Sequence, residues 1–248
     1  MGAIHILWLR ELKRYWRSKM RIGTSLVQPL LYLLVLGFGL GPVYQKAGAG
    51  NFLQFMAPGV IAMTVLFSAM FSGISLLWDR QFGFLKETLV APVPRIQIML
   101  GRTCGAATVA LLQGLLVALV CLAAGFRPVS LAMLPAAFAF LALIAIVFTA
   151  LGTTIGSSLK DMQGYTAAMN FLVLPVFLLS GTLFPLDNLP VLLATMTRLD
   201  PLSYGVDGLR ATLIARTHFG ALLDAAVLGS AAVILTVLGA WRFSKIEI

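Results

Sequence analysis

Histidine and cysteine are almost missing from this chain, with two of each in 248 residues. His5 and His218 are expected on opposite sides of a membrane, so neither a His-based triad nor a His-rich metal cluster can be assembled. Cys104 and Cys121 fall in one apolar stretch and would stand about 25 Å apart on a helix, which excludes a mutual disulfide. Both read as small buried apolar fillers. Charge is scarce too, at 11% of residues against about a quarter in soluble domains. With 60% hydrophobic residues, the composition is that of an integral membrane protein. Acidic residues number nine against 18 basic ones, but no basic stripe interleaved with aromatics follows the first helix, which argues against nucleic acid. There is no Walker A sequence, so any use of ATP must come from another polypeptide. Six basic residues interrupt the opening apolar positions and no small-residue cleavage site follows, unlike a signal peptide. Ile6 stands where myristoylation of Gly2 needs Ser or Thr. The apolar stretches hold almost no ionisable groups, which weakens an ion-coupled carrier.

What the chain does have is six apolar stretches, near 22–41, 55–77, 101–124, 131–156, 163–183 and 220–241. Each is at or above the ~20 residues a helix needs to cross a ~30 Å hydrocarbon core. The expected fold is an all-α integral membrane protein. With the N-terminus inside, 13 of the 18 Lys and Arg residues fall on the inner side and five on the outer. The positive-inside rule thus puts both termini and the 78–102 loop in the cytoplasm. Three GxxxG pairs, Gly37 with Gly41, Gly101 with Gly105 and Gly152 with Gly156, permit close helix approach. Pro29 and Pro175 are expected to kink the first and fifth spans.

Ahead of the first span, Ile4, Leu7, Trp8, Leu12, Tyr15 and Trp16 recur at helical spacing, with Arg10, Lys13, Arg14 and Arg17 on the opposite arc. Residues 1–21 are expected to form an interfacial helix lying flat on an anionic leaflet. Glu11 interrupts the apolar arc, and a bare carboxylate there is expected to face protein rather than lipid. Its partner is either a cation of the interior loop, Arg80 or Arg95, or its helical neighbour Arg14. That loop, WDRQFGFLKETLVAPVPRIQIMLGR, concentrates Asp79, Arg80, Lys86, Glu87, Arg95 and Arg102. No proline interrupts 79–90, Phe82, Leu85 and Leu89 share a face, and Pro92 stops a helix near Val90. A short amphipathic helix there fits the groove of a soluble partner; a plain basic loop would only fix topology.

Neutral polar groups stand at depth: Thr24, Ser25 and Gln28 in the first span, Gln113 in the third and Asn170 in the fifth. They suit an uncharged or amphipathic cargo, and equally suit interhelical hydrogen bonds of about 0.6 kcal/mol each. Residues 184–218 are too apolar for a free linker and too broken by Pro185, Pro190 and Pro201 for a span. Partial insertion is expected. Asp200 is placed to cap a helix starting at Pro201, and Asp207 and Arg210 to pair in a surface salt bridge of about 0–1 kcal/mol. An outer lid and re-entrant packing both fit this stretch.

Read together, the interior loop KETLVAPVPRIQIMLGR and the outer stretches SGTLFPLDNLP and LDPLSYGVDGLR resemble the ABC-2 family of ATP-binding-cassette exporter permeases. The resemblance covers essentially the whole chain and is strongest to the drug-, lipooligosaccharide- and Nod-factor-type branch. It implies a type V exporter fold, working as a homodimer of permeases with two cytoplasmic ABC ATPase subunits that carry the ATP and Mg. This chain itself would hold no cofactor or metal and perform no catalysis. The resemblance further implies a coupling helix over 79–94 seated on the ATPase, with Asp79, Arg80, Gly83, Lys86, Glu87 and Pro92 as its residues. A connecting helix beside it would carry Glu11 and Arg14. The first, second and fifth spans would line the route at the dimer interface, with Thr24, Ser25, Gln28 and Asn170 facing substrate. Residues 184–218 would form re-entrant helices and an outer gate, marked by Phe184, Pro185, Tyr204, Asp207 and Arg210. The short first outer loop, 42–54, leaves no room for a large ectodomain.

The expectation is thus a permease of the bacterial inner (cytoplasmic) membrane, in contact with membrane lipids and not with nucleic acid. Its cargo would be an amphipathic drug, lipid or lipid-linked saccharide. Two other readings differ in what they predict. An ATP-independent carrier or channel would move cargo alone under an ion gradient, and a non-transporting membrane anchor of a soluble ATPase would bind it without flux.

Overall fold

The protein is described from a computed structural model, covering residues 2–46, 51–84, 88, 90, 93–159, 161–187 and 189–244. All regular structure among these residues is helical, and six helical segments are long and apolar enough to cross a membrane. An N-terminal helix, α1 (Ala3–Arg17), precedes span 1, which is built from α2 (Lys19–Leu31), a π-helical turn (Tyr32–Leu36) and α3 (Gly37–Lys46). Span 2 comprises α4 (Phe52–Phe71) and α5 (Ile74–Gln81), span 3 is α6 (Arg95–Ala123), span 4 is α7 (Leu134–Ser158) and span 5 is α8 (Met162–Leu179). The connection between spans 5 and 6 holds α9 (Val191–Leu199) and α10 (Pro201–Ile214), and span 6 is α11 (Ala221–Ser244).

Local chemistry explains most boundaries. Pro29 has no N–H for the Ser25 carbonyl, and the π turn that follows absorbs the broken register. Asn51 caps α4 by accepting from Leu53 N at 2.9 Å, Asp161 caps α8 through Gly164 N, and Asp200 caps α10 through Leu202 N at 3.0 Å. Span 3 begins at Arg95, ahead of the expected 101, because the helix can start as soon as Pro94 is passed.

Burial ranks the spans. The α4 sequence FLQFMAPGVIAMTVLFSAMF is apolar on every side, as befits a helix enclosed by others. In span 2, 72% of the apolar stretch is buried, against 11% in span 1, 22% in span 5 and 17% in span 6, so span 2 is the axis and the other three are peripheral. Glycine sets how close its neighbours come. A Cβ on Gly152 would sit 2.5 Å from the Met70 carbonyl oxygen, and one on Gly156 2.9 Å from that of Gly73. Spans 2 and 4 therefore touch backbone to backbone, and the Tyr165 hydroxyl donates to the Met70 carbonyl at the same crossing. Gly101 and Gly105 admit α1, with Cβ positions 2.9 Å from the Ile4 carbonyl oxygen and from Glu11 Cβ. Nothing lies within 4 Å of Gly37 or Gly41.

The N-terminal helix is held to the bundle. Its Ile4, Leu7, Trp8 and Glu11 face packs on α6, where Trp8 Nε1 donates to Thr108 Oγ1 at 3.0 Å. Lys19–Arg21 belong to the helix of span 1, because the backbone leaves helical geometry at Ser18. Of the two cysteines, Cys121 is buried but Cys104 is exposed.

Candidate functional site

Three places bring together the residues singled out by sequence. The first is the corner at the end of span 2. Its helical run, Phe52–Gln81, has 30 residues, about 45 Å at 1.5 Å per residue, which exceeds a ~30 Å core. Its last turns therefore emerge carrying Asp79 and Arg80. Asp79 is 4% exposed. Arg10 Nη2 of α1 donates to both its oxygens at 3.0 Å, and Arg102 of α6 donates to Oδ2. One carboxylate thus ties three elements. Arg80 Nη1 reaches the Leu159 carbonyl at 3.4 Å, holding the same turn to the end of span 4.

Glu11 is buried beside Gly105 and lies in the field of Arg102. Among the described residues it forms no ion pair with Arg14, Arg80 or Arg95. The link from surface helix to span 2 is made one residue away, by Arg10, while Arg95 Nη1 donates to the Ser244 carbonyl at 2.8 Å. Arg14 lies on the exposed basic side of α1.

The expected single helix over 79–94 is broken. The α5 helix ends at Gln81, and Gly83 takes φ +83, a conformation that glycine adopts without strain. Phe84, Thr88 and Val90 are helical again, with Thr88 Oγ1 donating to the Phe84 carbonyl at 2.8 Å. Asp79 and Arg80 thus belong to span 2, and Gly83 is the joint to the segment that follows. Lys86, Glu87 and Pro92, like Leu85 and Leu89, lie outside the described residues. Trp78 and Phe82 stack with centroids 5.3 Å apart, and with Phe84 and Val90 they leave an exposed apolar surface at this corner.

The second place is a cleft of about 320 Å³ between spans 1, 2 and 3. Thr24, Ser25 and Gln28 line one wall, Thr64, Phe67 and Ser68 the other, and Gln113 of α6 is also in the lining. The hydroxyls of Thr24, Ser25 and Thr64 bond carbonyls of their own helices. The amides of Gln28 and Gln113 make no such bond among the described residues, and Gln113 is 3% exposed. Asn170 does not line this cleft; it stands on the exposed face of α8.

The third place is the opposite end of span 2, around α10. Asp207 and Arg210, expected as a surface pair, are 4% and 7% exposed, and each pins a different turn. Arg210 Nη2 donates to the Gly181 carbonyl at 2.8 Å while its guanidinium lies 4.1 Å over the Phe55 ring. Asp207 accepts from Thr217 Oγ1 at 3.0 Å and from the amides of His218 and Phe219 at 2.8 Å. The cause is the depth of α10, whose Gly205 and Gly208 pack on Ile144 and Phe140. Tyr204 donates to the Arg198 carbonyl at 2.8 Å and stacks on Phe219. Phe184 is half-buried and Pro185 exposed. Burial pushes the Asp200 carboxyl up to about 7, opposed by its bonds from Leu202 N and the Ser203 hydroxyl.

Two of the few ionisable residues in the spans are buried. Arg102 is 6% exposed within α6, and Asp224 is 0% exposed in the first turn of α11. Both sit near span ends, where hydropathy alone cannot tell a wet charge from a buried one. A carboxylate opening an apolar stretch was the available signal for Asp224.

These features are those of a multi-pass helical membrane protein, with a charged joint at one end of span 2 and buried, pinned turns at the other. A family model described as ABC-2 type transporter matches residues 2–214, and the chain belongs to that family. It is 30% identical over 205 residues to Nodulation protein J of Rhizobium leguminosarum bv. trifolii, covering 79% of this chain and 78% of that protein. To the inner membrane transport permease YadH of Escherichia coli K12 it is 27% identical over 213 residues, 84% of this chain and 81% of that one. To the putative transport permease ycf38 of Porphyra purpurea it is 29% identical, covering 84% and 72%. The chain is a non-catalytic, multi-pass permease of the inner membrane, the membrane component of an ABC transporter, and the family implies an ABC ATPase as its partner.

Proposed function

We propose that the chain is the permease of an ATP-driven exporter, a homodimer served by two copies of a cytoplasmic ABC ATPase that hold the ATP and Mg. Both termini face the cytoplasm, and the cargo is an amphipathic drug, lipid or lipid-linked saccharide carried outward. The carrying observation is the Asp79 corner. The segment after Gly83 is the coupling helix, offering Phe84 and Val90, and with them Lys86, Glu87 and Pro92, to the ATPase. A displacement there moves Asp79 and Arg80, and the ion pairs pass it to α1 through Arg10 and to span 3 through Arg102. Glu11 and Arg14 keep α1 seated in this assembly.

Thr24, Ser25 and Gln28, joined by Gln113, present the cargo with hydroxyls and amides in an apolar wall, and Asn170 faces the second copy across the route. Phe184, Pro185, Tyr204, Asp207 and Arg210 belong to the outer gate that yields when the dimer opens. The test is flux of a fluorescent glycolipid or phospholipid analogue in proteoliposomes holding this chain with and without its ATPase. Flux that needs ATP and both chains is expected. Flux by the chain alone under an ion gradient would make it a carrier, and ATPase binding without flux would make it an anchor. A thiol introduced by Phe84→Cys should be unreactive to an impermeant reagent added outside intact cells.

A further inference from the structure

Two cavities lie end to end along span 1, and their walls are chemically opposite. Toward the Asp79 corner is the cleft of about 320 Å³ described above, with Gln28, Ser68 and Gln113 in its lining. Beyond it is a groove of about 390 Å³, walled by Leu30, Leu34 and Phe38 of span 1, Phe52 of span 2 and Val120 of span 3. The same three spans form both, and on span 1 the lining passes from Pro29 to Leu30 without a break. Gly37 and Gly41 also line the groove and deepen it, because nothing lies within 4 Å of a Cβ built on either. Among the described residues, no helix packs into this GxxxG pair.

The polar end is built to bind. Gln113 is 3% exposed and lines the cleft, yet its carboxamide has no partner among the described residues. An amide left so inside a membrane is costly, and a ligand in the cleft would satisfy it. Ser25 and Thr64 commit their hydroxyl protons to the carbonyls of Ile22 and Val60, so their oxygens face a ligand as acceptors, whereas each carboxamide both donates and accepts. Hydroxyl groups, which do both, match this set. No ionisable residue lines either cavity among the described residues, so a charged head would lose water and find no counter-ion. The apolar end suits a chain. From Leu30 to Gly41 is about 16 Å of helix, half of a ~30 Å core and so the depth of one leaflet's acyl chains. Spread over that length, 390 Å³ leaves a cross-section of about 24 Å², against roughly 80 Å² for a helix ~10 Å wide.

We propose that this seam binds one amphiphile within a single copy of the permease. Its uncharged, hydroxylated head is held by Gln28, Ser68 and Gln113, and its alkyl chain lies over Gly37 and Gly41. This rests on the reading of the cleft as the cargo's, and it narrows the cargo to heads such as a sugar or a glycerol.

Equilibrium binding of tritiated dodecyl glucoside to the purified chain in phosphatidylcholine nanodiscs tests the site without ATP or an ATPase. Saturable binding at one site per chain is expected. Displacement by monododecanoyl glycerol assigns the head as any polyol, and displacement by unlabelled glucoside alone narrows it to a sugar. Dodecyl phosphate and dodecyltrimethylammonium should compete about tenfold more weakly, or worse. Gln113→Leu should weaken binding about two- to tenfold, the worth of a neutral hydrogen bond. Gly37→Leu, whose side chain fills the groove, should weaken it about tenfold without lowering the melting temperature. Gln28→Lys, at an exposed position, does not depend on a tolerant core and should turn dodecyl phosphate into a competitor. Equal competition by the charged heads, or binding indifferent to both Gln113→Leu and Gly37→Leu, overturns the proposal. So does a Gly37→Leu variant that binds normally but converts dimers to monomers in light scattering, which would give the groove to a second copy. Binding as expected without ATP-driven flux would refute the exporter reading and leave the site standing.

Discussion

Replacing Asp79 by Asn should be the most damaging single change at the corner where α1, span 2 and span 3 meet. Its two partners differ in burial: the Arg102 side chain is 7% exposed and that of Arg10 36%. Removing the carboxylate leaves the Arg102 cation buried without its counter-ion, a loss of about 3–5 kcal/mol. Arg10→Met removes only a partly solvated pair and should cost about 1 kcal/mol. Replacing both buried partners, Asp79→Leu with Arg102→Met, removes the stranded charge and should restore much of the loss. For a domain of this length, roughly 2–4 °C of melting temperature accompany each kcal/mol. Thermal melts of the detergent-purified protein, read by tryptophan fluorescence, should therefore place Asp79→Asn on the order of 10 °C below wild type, with Arg10→Met only a few degrees down. The reasoning fails if Asp79→Asn costs no more than Arg10→Met, or if the double replacement at 79 and 102 is as harmful as the two single losses added together.

Three further outcomes follow from particular contacts. Gly73→Ala drives a Cβ into the Gly152 carbonyl and the Tyr165 hydroxyl and should cost at least the ~1–3 kcal/mol typical of overpacking; Gly37→Ala, with nothing within 4 Å, should be neutral or gain up to ~1 kcal/mol, as thermal melts will show. Gln28→Leu and Gln113→Leu should change cargo preference in the flux assay more than the melting temperature, and an unaltered export profile would return both amides to packing. The Asp200 carboxyl, at about 7 in the fold against about 3.9 when unfolded, binds more protons folded than unfolded. Its contribution is therefore full below about pH 4 and lost as the pH rises through about 7. Asp200→Asn keeps the cap and should remove that slope from melts taken between those limits.

Much of the fold was legible in sequence because the forces that set it are local or averaged along the chain. Transfer of an apolar stretch into lipid depends on its length and composition, so six spans emerge to within a few residues. Caps are equally local: Asp200 before Pro201 starts a helix through its own neighbours. The GxxxG pairs showed where close approach was possible but not which pairs used it. Two became crossings, while Gly37 and Gly41 face open space.

The side-chain partners were not legible. Sequence correctly made Glu11 a residue that meets protein, yet the link to span 2 passes through Arg10 and Asp79, 69 positions apart, and on to Arg102. A helix periodicity tells which residues share a face, and one residue's rotation separates Glu11 from Arg10. Asp207 and Arg210 look like a surface pair by spacing, but the burial of α10 sends them to different turns. By itself the sequence determined that the chain crosses a membrane as helices and that Asp200 caps the helix opening at Pro201, since each follows from neighbouring residues. Only the tertiary structure decided which buried charges meet, because that depends on helix rotation and on the backbone distances that Gly73, Gly101, Gly105 and Gly152 allow.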